Sequence, residues 1–170
     1  TTKQVQVIWL KAANPAEATP IQEYYDSLIV QNKRIMHEIK TRFPNVKLCY
    51  MASRSYAGYA STDHNPEPYA YWHGWAVKKI IEDQINGDPE LQYSGAEANS
   101  PWLSWGIYLW ADGTTPRMDG LTWNCPEEFE PDGTHPSLTG EQKVANLLVL
   151  FFSTHPSTTP WFMGNGCALT

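Results

Sequence analysis

The chain has 170 residues, room for one domain of ordinary size and too few for two generous ones. Lys and Arg number 12 against 18 Asp and Glu, giving a net charge of −6, and no Lys/Arg cluster offers the basic face that binding to nucleic acid requires. The longest apolar run, Leu147-Leu148-Val149-Leu150-Phe151-Phe152, falls well short of the roughly 20 residues of a membrane span. With 42% hydrophobic residues and eight Trp, the composition also excludes intrinsic disorder.

In chain order, Val5, Val7, Ile8, Trp9 and Leu10 form a short apolar run that predicts a strand buried on both faces of a parallel sheet. It ends at Lys11-Ala12-Ala13-Asn14-Pro15. Apolar residues then recur at 21, 24, 25, 28, 29, 35, 36, 39 and 43, a helical spacing that Pro20 opens and Pro44 stops. A second strand is expected over Val46–Ala52 and a second helix from about Tyr71 to Ile85, closed by Asn86-Gly87. Trp105–Trp110 reads as a third strand. Residues 111–137, with three Asp-Gly pairs and four Pro, read as turns. A last helix is expected over about Leu138–Phe152, followed by a Pro-containing tail that carries Trp161 and Phe162.

Strand and helix alternate three times, which predicts one α/β domain over residues 1–170 with a parallel sheet and right-handed crossovers. In such sheets the chemistry collects beyond the carboxyl ends of the strands, here residues 11–19, 53–70 and 111–137. Three strands make a small sheet, and the Val5–Leu10 strand is expected to have an open edge.

The three cysteines are Cys49, Cys125 and Cys167. Cys49 lies in a strand-like run and reads as a buried thiol, whereas Cys125 and Cys167 lie in polar stretches where a disulfide is possible in a secreted protein. His37, His64, His73 and His155 lack paired spacing, and no Cys-x-x-Cys, calcium loop, phosphate-cradling Gly loop or dinucleotide fingerprint occurs, so neither a metal nor a cofactor is expected.

Asp132-Gly133-Thr134-His135-Pro136-Ser137 stands just before the last helix. An Asp three residues before a His in a tight turn can accept from one imidazole nitrogen and leave the other free as a base toward a hydroxyl. A turn Asp beside a surface His is the plainer reading of the same pair. The whole run from Asp132 through Gly140, Lys143, Val144, Ala145, Leu148 and Phe151-Phe152 resembles the last block of the SGNH (GDSL) hydrolase superfamily. That resemblance implies a flavodoxin-like three-layer fold, Asp132 as the orienting acid and His135 as the general base of a Ser-His-Asp triad. Val5–Leu10 followed by Asn14 is similar to the family's third block and implies Asn14 as an oxyanion donor, although Ala12 stands where the family has Gly. The blocks that carry the nucleophile Ser and the backbone oxyanion donor have no counterpart here. The resemblance therefore implies the C-terminal two-thirds of the fold, its first strands missing or supplied by another chain against the edge of Val5–Leu10.

Arg54 and Glu67, flanked by aromatics, are candidate substrate-rim residues, with Arg54 gripping a carboxylate or sugar hydroxyls. The alternative is a structural Arg54–Glu67 pair that pins a long loop. Trp110, like Trp102, Trp105 and Trp123, is either a platform for a sugar ring or core. The expectation is thus a serine-type ester hydrolase, an acyl or acetyl esterase on a small-molecule or glycan ester. The rival is a non-catalytic glycan-binding or self-assembling structural protein of the same fold, and an extracellular location is expected for either.

Overall fold

The computed structural model describes residues 1–14, 19–63 and 66–164. A 3-10 turn at Thr2–Gln4 leads into strand β1, Val7–Leu10, and then helix α1, Ile21–Arg42. Tyr24, Leu28, Asn32, Met36 and Ile39 are its buried residues, and steps of four and three keep them on one face. The helix ends at Phe43, whose N–H bonds the Ile39 carbonyl, because Pro44 disfavours a helical conformation in the residue before it. Strand β2, Leu48–Met51, follows, then helix α2, Tyr69–Ile85. Gly87, at φ +83°, takes the left-handed position just past the end of α2.

Strand β3 spans Trp102–Trp105. Sequence reading placed this strand at Trp105–Trp110, and the correction has a plain cause. The ladder opens where the Trp102 N–H bonds the Lys47 carbonyl and closes where the Gly106 N–H bonds the Met51 carbonyl. Beyond Gly106 the extended chain is held by side chains instead. Ser53 Oγ accepts from the Leu109 and Trp110 N–H groups at 2.8 and 3.0 Å, and Arg117 Nη1 donates to the Tyr108 and Trp110 carbonyls.

The three strands form one all-parallel sheet in the order β1-β2-β3, with Val7, Ile8, Trp9 and Leu10 opposite Leu48, Cys49, Tyr50 and Met51. One face packs against α1 and α2 through Met36, Val46, Cys49, Met51, Val77, Ile80 and Leu103. The other packs through Ala52, Leu109, Leu121, Trp123 and Phe129 against helix α3, Leu138–Thr154. A short helix α4, Thr159–Phe162, returns the tail to this face, where Trp161 stacks on Tyr50 with ring centroids 6.5 Å apart. The coarse expectation of a mixed α/β fold with a parallel sheet is what the chain adopts.

The two sheet edges differ. At β3 the Gln84 side chain covers the outside: its Oε1 accepts from the Leu103 N–H at 2.7 Å and its Nε2 donates to the Leu91 and Pro101 carbonyls. At β1 the carbonyls of Gln6 and Leu10 face β2, so Val7 and Trp9 turn their backbone groups outward. Those outward groups bond no described residue. All four β1 residues are half-buried rather than buried on both faces. The α3 helix is also only partly covered, with Gly140 its one buried residue and Leu138, Val149 and Leu150 exposed.

Candidate active site

Parallel strands deliver their following loops to one end of the sheet, and the sequence-predicted residues are distributed there: Asn14 after β1, Arg54 and Glu67 after β2, Trp110 after β3. The fourth contribution is the turn before α3. The Glu130 N–H bonds the His135 carbonyl and the Gly133 N–H bonds the Glu130 carbonyl, both at 2.8 Å, while Phe129 and Pro136 bridge at its base. The turn is seated on the loop after β2, where the Ser61 N–H bonds the Asp132 carbonyl at 2.9 Å. A Cβ on Gly133, at φ +64°, would lie 1.9 Å from the Tyr59 carbonyl oxygen, so only Gly fits this contact. Lys143 fastens α3 behind it, its Nζ 2.5 Å from Glu128 Oε1 and 2.7 Å from the Thr122 carbonyl.

Within the turn, Asp132 Oδ1 accepts from the Thr134 and His135 backbone N–H groups, each at 2.9 Å, and Oδ2 lies 2.5 Å from His135 Nδ1. The imidazole bond, followed by the two backbone N–H groups, holds the Asp132 carboxyl down at about 2. The carboxylate is therefore an acceptor at neutral pH. It places the imidazole proton on Nδ1 and leaves Nε2 as the free, basic nitrogen. The His135 side chain is 76% exposed, and no hydroxyl among the described residues bonds its Nε2. The dyad has the orientation of a general base and its orienter, facing outward.

Asn14 presents a different orphan. Its Nδ2 is buried and has no hydrogen-bond partner among the described residues. An unsatisfied amide N–H at a strand end is a suitable donor to a developing negative charge.

Glu67 and Trp110 brace the loop. Glu67 Oε1 accepts from the Ala57 N–H at 3.0 Å and from Trp110 Nε1 at 2.9 Å, and Oε2 accepts from the Tyr71 N–H at 3.2 Å, near the start of α2. The Trp110 ring lies 4.7 Å from that of Tyr71. The Arg54–Glu67 pair foreseen as a structural role does not form an ion pair, and Glu67 pins the loop without it. Trp123 is fully buried and donates its Nε1–H to the Leu109 carbonyl at 2.7 Å, so it is core.

His73, set aside as a metal ligand for want of paired spacing, lies on α2 and is 1% exposed. Neither ring nitrogen makes a well-formed hydrogen bond, and the Ala12 backbone is the acceptor group that favours a ring N–H. Burial, then the charges of Arg54 and Lys11, push it down to about 4, so it is neutral at physiological pH. A lone His on a helical pattern carries no sequence signal of this role. Whether Cys125 pairs with Cys167 turns on Cys167, which lies, like His64, outside the described residues. Among the described residues no group of three or more His, Cys, Asp or Glu is arranged to hold a metal, and no helix is long and apolar enough to cross a membrane.

The fold and the dyad thus define a small α/β protein with a His-Asp pair at the carboxyl end of a parallel sheet. No protein-family model, curated protein or solved structure matches this chain.

Proposed function

We propose that this chain forms the larger part of a serine-type ester hydrolase of the SGNH kind, an acyl or acetyl esterase acting on a small-molecule or glycan ester. The observation that carries the reading is the Asp132 Oδ2 to His135 Nδ1 contact of 2.5 Å with Nε2 left free. The nucleophile is a Ser on a complementary segment, N-terminal to Thr1 or on a separate chain, that pairs with the open edge of β1. Val7 and Trp9 support this by their outward backbone groups, a template for a further strand. In the reaction, His135 Nε2 removes the Ser proton as the hydroxyl oxygen attacks the ester carbonyl. Asn14 Nδ2 donates to the tetrahedral oxyanion. Collapse breaks the ester C–O bond and the alcohol leaves with the proton from His135. Water then repeats the sequence on the acyl-enzyme and releases the acid.

The test is a serine-directed fluorophosphonate probe on the native preparation, read by denaturing intact mass together with hydrolysis of an aryl acetate. A labelled second polypeptide, with turnover abolished in His135→Ala, is the expected result. A single unlabelled species of 19.3 kDa without turnover overturns the hydrolase reading. It would leave the second one, a glycan-binding or self-assembling module, which the same open β1 edge favours through strand addition between copies.

A further inference from the structure

A guanidinium taken out of water is stable only with an anion to face, because its desolvation is otherwise uncompensated. Arg54 leaves the end of β2 and is half-buried, with Nε fully buried. Among the described residues its guanidinium makes neither an ion pair nor a hydrogen bond. Glu67 is the nearby carboxylate, and both of its oxygens are taken by the Ala57, Tyr71 and Trp110 N–H groups. Two more basic side chains lie close enough to Arg54 to feel its charge. His73 reaches the spot from α2, buried and with both ring nitrogens free of well-formed bonds. Lys11 comes from the end of β1 and is exposed overall, and desolvation, then the charge of Arg54, brings its ammonium down to about 8. The Tyr24 and Tyr69 rings, packed edge to face at 5.0 Å, wall this region on the α1 and α2 side. Three basic groups from three elements thus converge where the one carboxylate near Arg54 among the described residues, Glu67, is already taken.

We propose that Lys11, Arg54 and His73 form a binding site for the carboxylate group of an acidic ligand. The side of the guanidinium that carries Nε is a planar two-donor fork that matches two carboxylate oxygens. Neutral His73 adds one N–H donor without adding charge repulsion, and Lys11 supplies the second positive charge at the solvent side. The site rests on none of the ester chemistry assigned to Asp132 and His135, so it stands or falls separately. If both hold, the ester substrate is an acidic one.

The test titrates the chain with acetate, with acetamide as the neutral isostere, inorganic phosphate as the tetrahedral anion and chloride as the ionic-strength control. The readouts are the His73 imidazole resonances and the melting temperature. Acetate is expected to shift the His73 signals saturably and to raise the melting temperature above the chloride control, whereas acetamide does neither. Arg54→Met should melt at or above the wild type in the absence of acetate, since it removes an unpaired charge, and should lose the response. Arg54→Lys keeps the charge without the fork and should weaken acetate roughly tenfold; it decides the matter if the Met variant does not fold. An acetate response equal to that of chloride or acetamide, or one retained undiminished in both variants, overturns the proposal. A phosphate response without an acetate response overturns the carboxylate assignment.

Discussion

Acidification should destabilise this protein through His73 before it reaches Asp119 or Asp132. The imidazole titrates at its ordinary 6.5 in the unfolded chain and at about 4 in the fold, where burial, Arg54 and Lys11 oppose a further positive charge. Between those two values the unfolded chain binds a proton that the native chain refuses, so stability falls as pH falls. At roughly 1.4 kcal/mol per pH unit the gap removes about 3 kcal/mol, a sizeable fraction of the ~5–15 kcal/mol that holds a domain folded. The residue is 1% exposed, so solvent screening takes little off this figure. With a urea slope of about 2 kcal/mol/M the midpoint should drop by about 1.5 M between pH 7.5 and pH 4. Asp132 and Asp119, both held at about 2, stay ionised in this window and begin to withdraw their contribution only below 3.8. The assay is urea unfolding followed by Trp fluorescence in carboxylate-free buffers, for the wild type and for His73→Gln, whose amide does not titrate. The variant should lose most of the pH slope. A wild-type midpoint flat across the window, or a variant with the wild-type slope, refutes the reasoning.

Other substitutions test the scaffold around the site. Ser53→Ala removes the acceptor shared by the Leu109 and Trp110 N–H groups and should cost about 2–4 kcal/mol by denaturant unfolding, as buried donors are stranded. Glu67→Ala strands three donors, and a comparable loss together with a change in Trp110 emission is expected. Gly133→Ala forces a Cβ against the Tyr59 carbonyl at positive φ and should lower stability by at least about 2 kcal/mol while freeing the Asp132–His135 turn, visible as loss of amide protection at Thr134 and His135. Asp132→Asn should leave the fold intact and reduce any esterase turnover by roughly 10⁴-fold, because the imidazole loses the partner that fixes its tautomer.

What the sequence made legible follows from where its signals are periodic or geometric. The buried face of α1 is spelled out by steps of three and four, and Pro44 marks its end within two residues. The Asp132–His135 contact could be anticipated because a spacing of three in a Gly turn brings the carboxylate within reach of the imidazole, although the spacing alone left a plain turn Asp open. Trp105–Trp110 misled because a short apolar and aromatic run is a poor guide where side chains replace the ladder: Ser53 Oγ holds the Leu109 and Trp110 N–H groups and Arg117 the Tyr108 and Trp110 carbonyls, in a segment that carries no strand partner. Glu67 and Arg54 were both visible as a charged pair, but the burial that sends one to backbone donors and leaves the other without an anion depends on tertiary packing. The role of His73 was invisible for the same reason.

The central strand has a bearing on how the molecule comes into being. Cys49, Tyr50 and Met51 are essentially closed to water, and β2 is bonded on both sides, each time to a strand separated from it by a whole helical crossover. Every ladder bond is therefore a distant one along the chain: Val7 pairs with Leu48 and Leu48 with Trp102, and each intervening loop must close before its ladder forms. A nascent chain emerging from the ribosome can wind α1 early, but it must hold β1 unpaired until residues near 51 are free, and the Tyr50 side waits for Trp161 near the end of the chain. The interval is long on the scale of translation, with apolar strands uncovered throughout. Slow hydrogen exchange is therefore expected to concentrate at Cys49–Met51 once folding is complete, and help from chaperones is expected during synthesis.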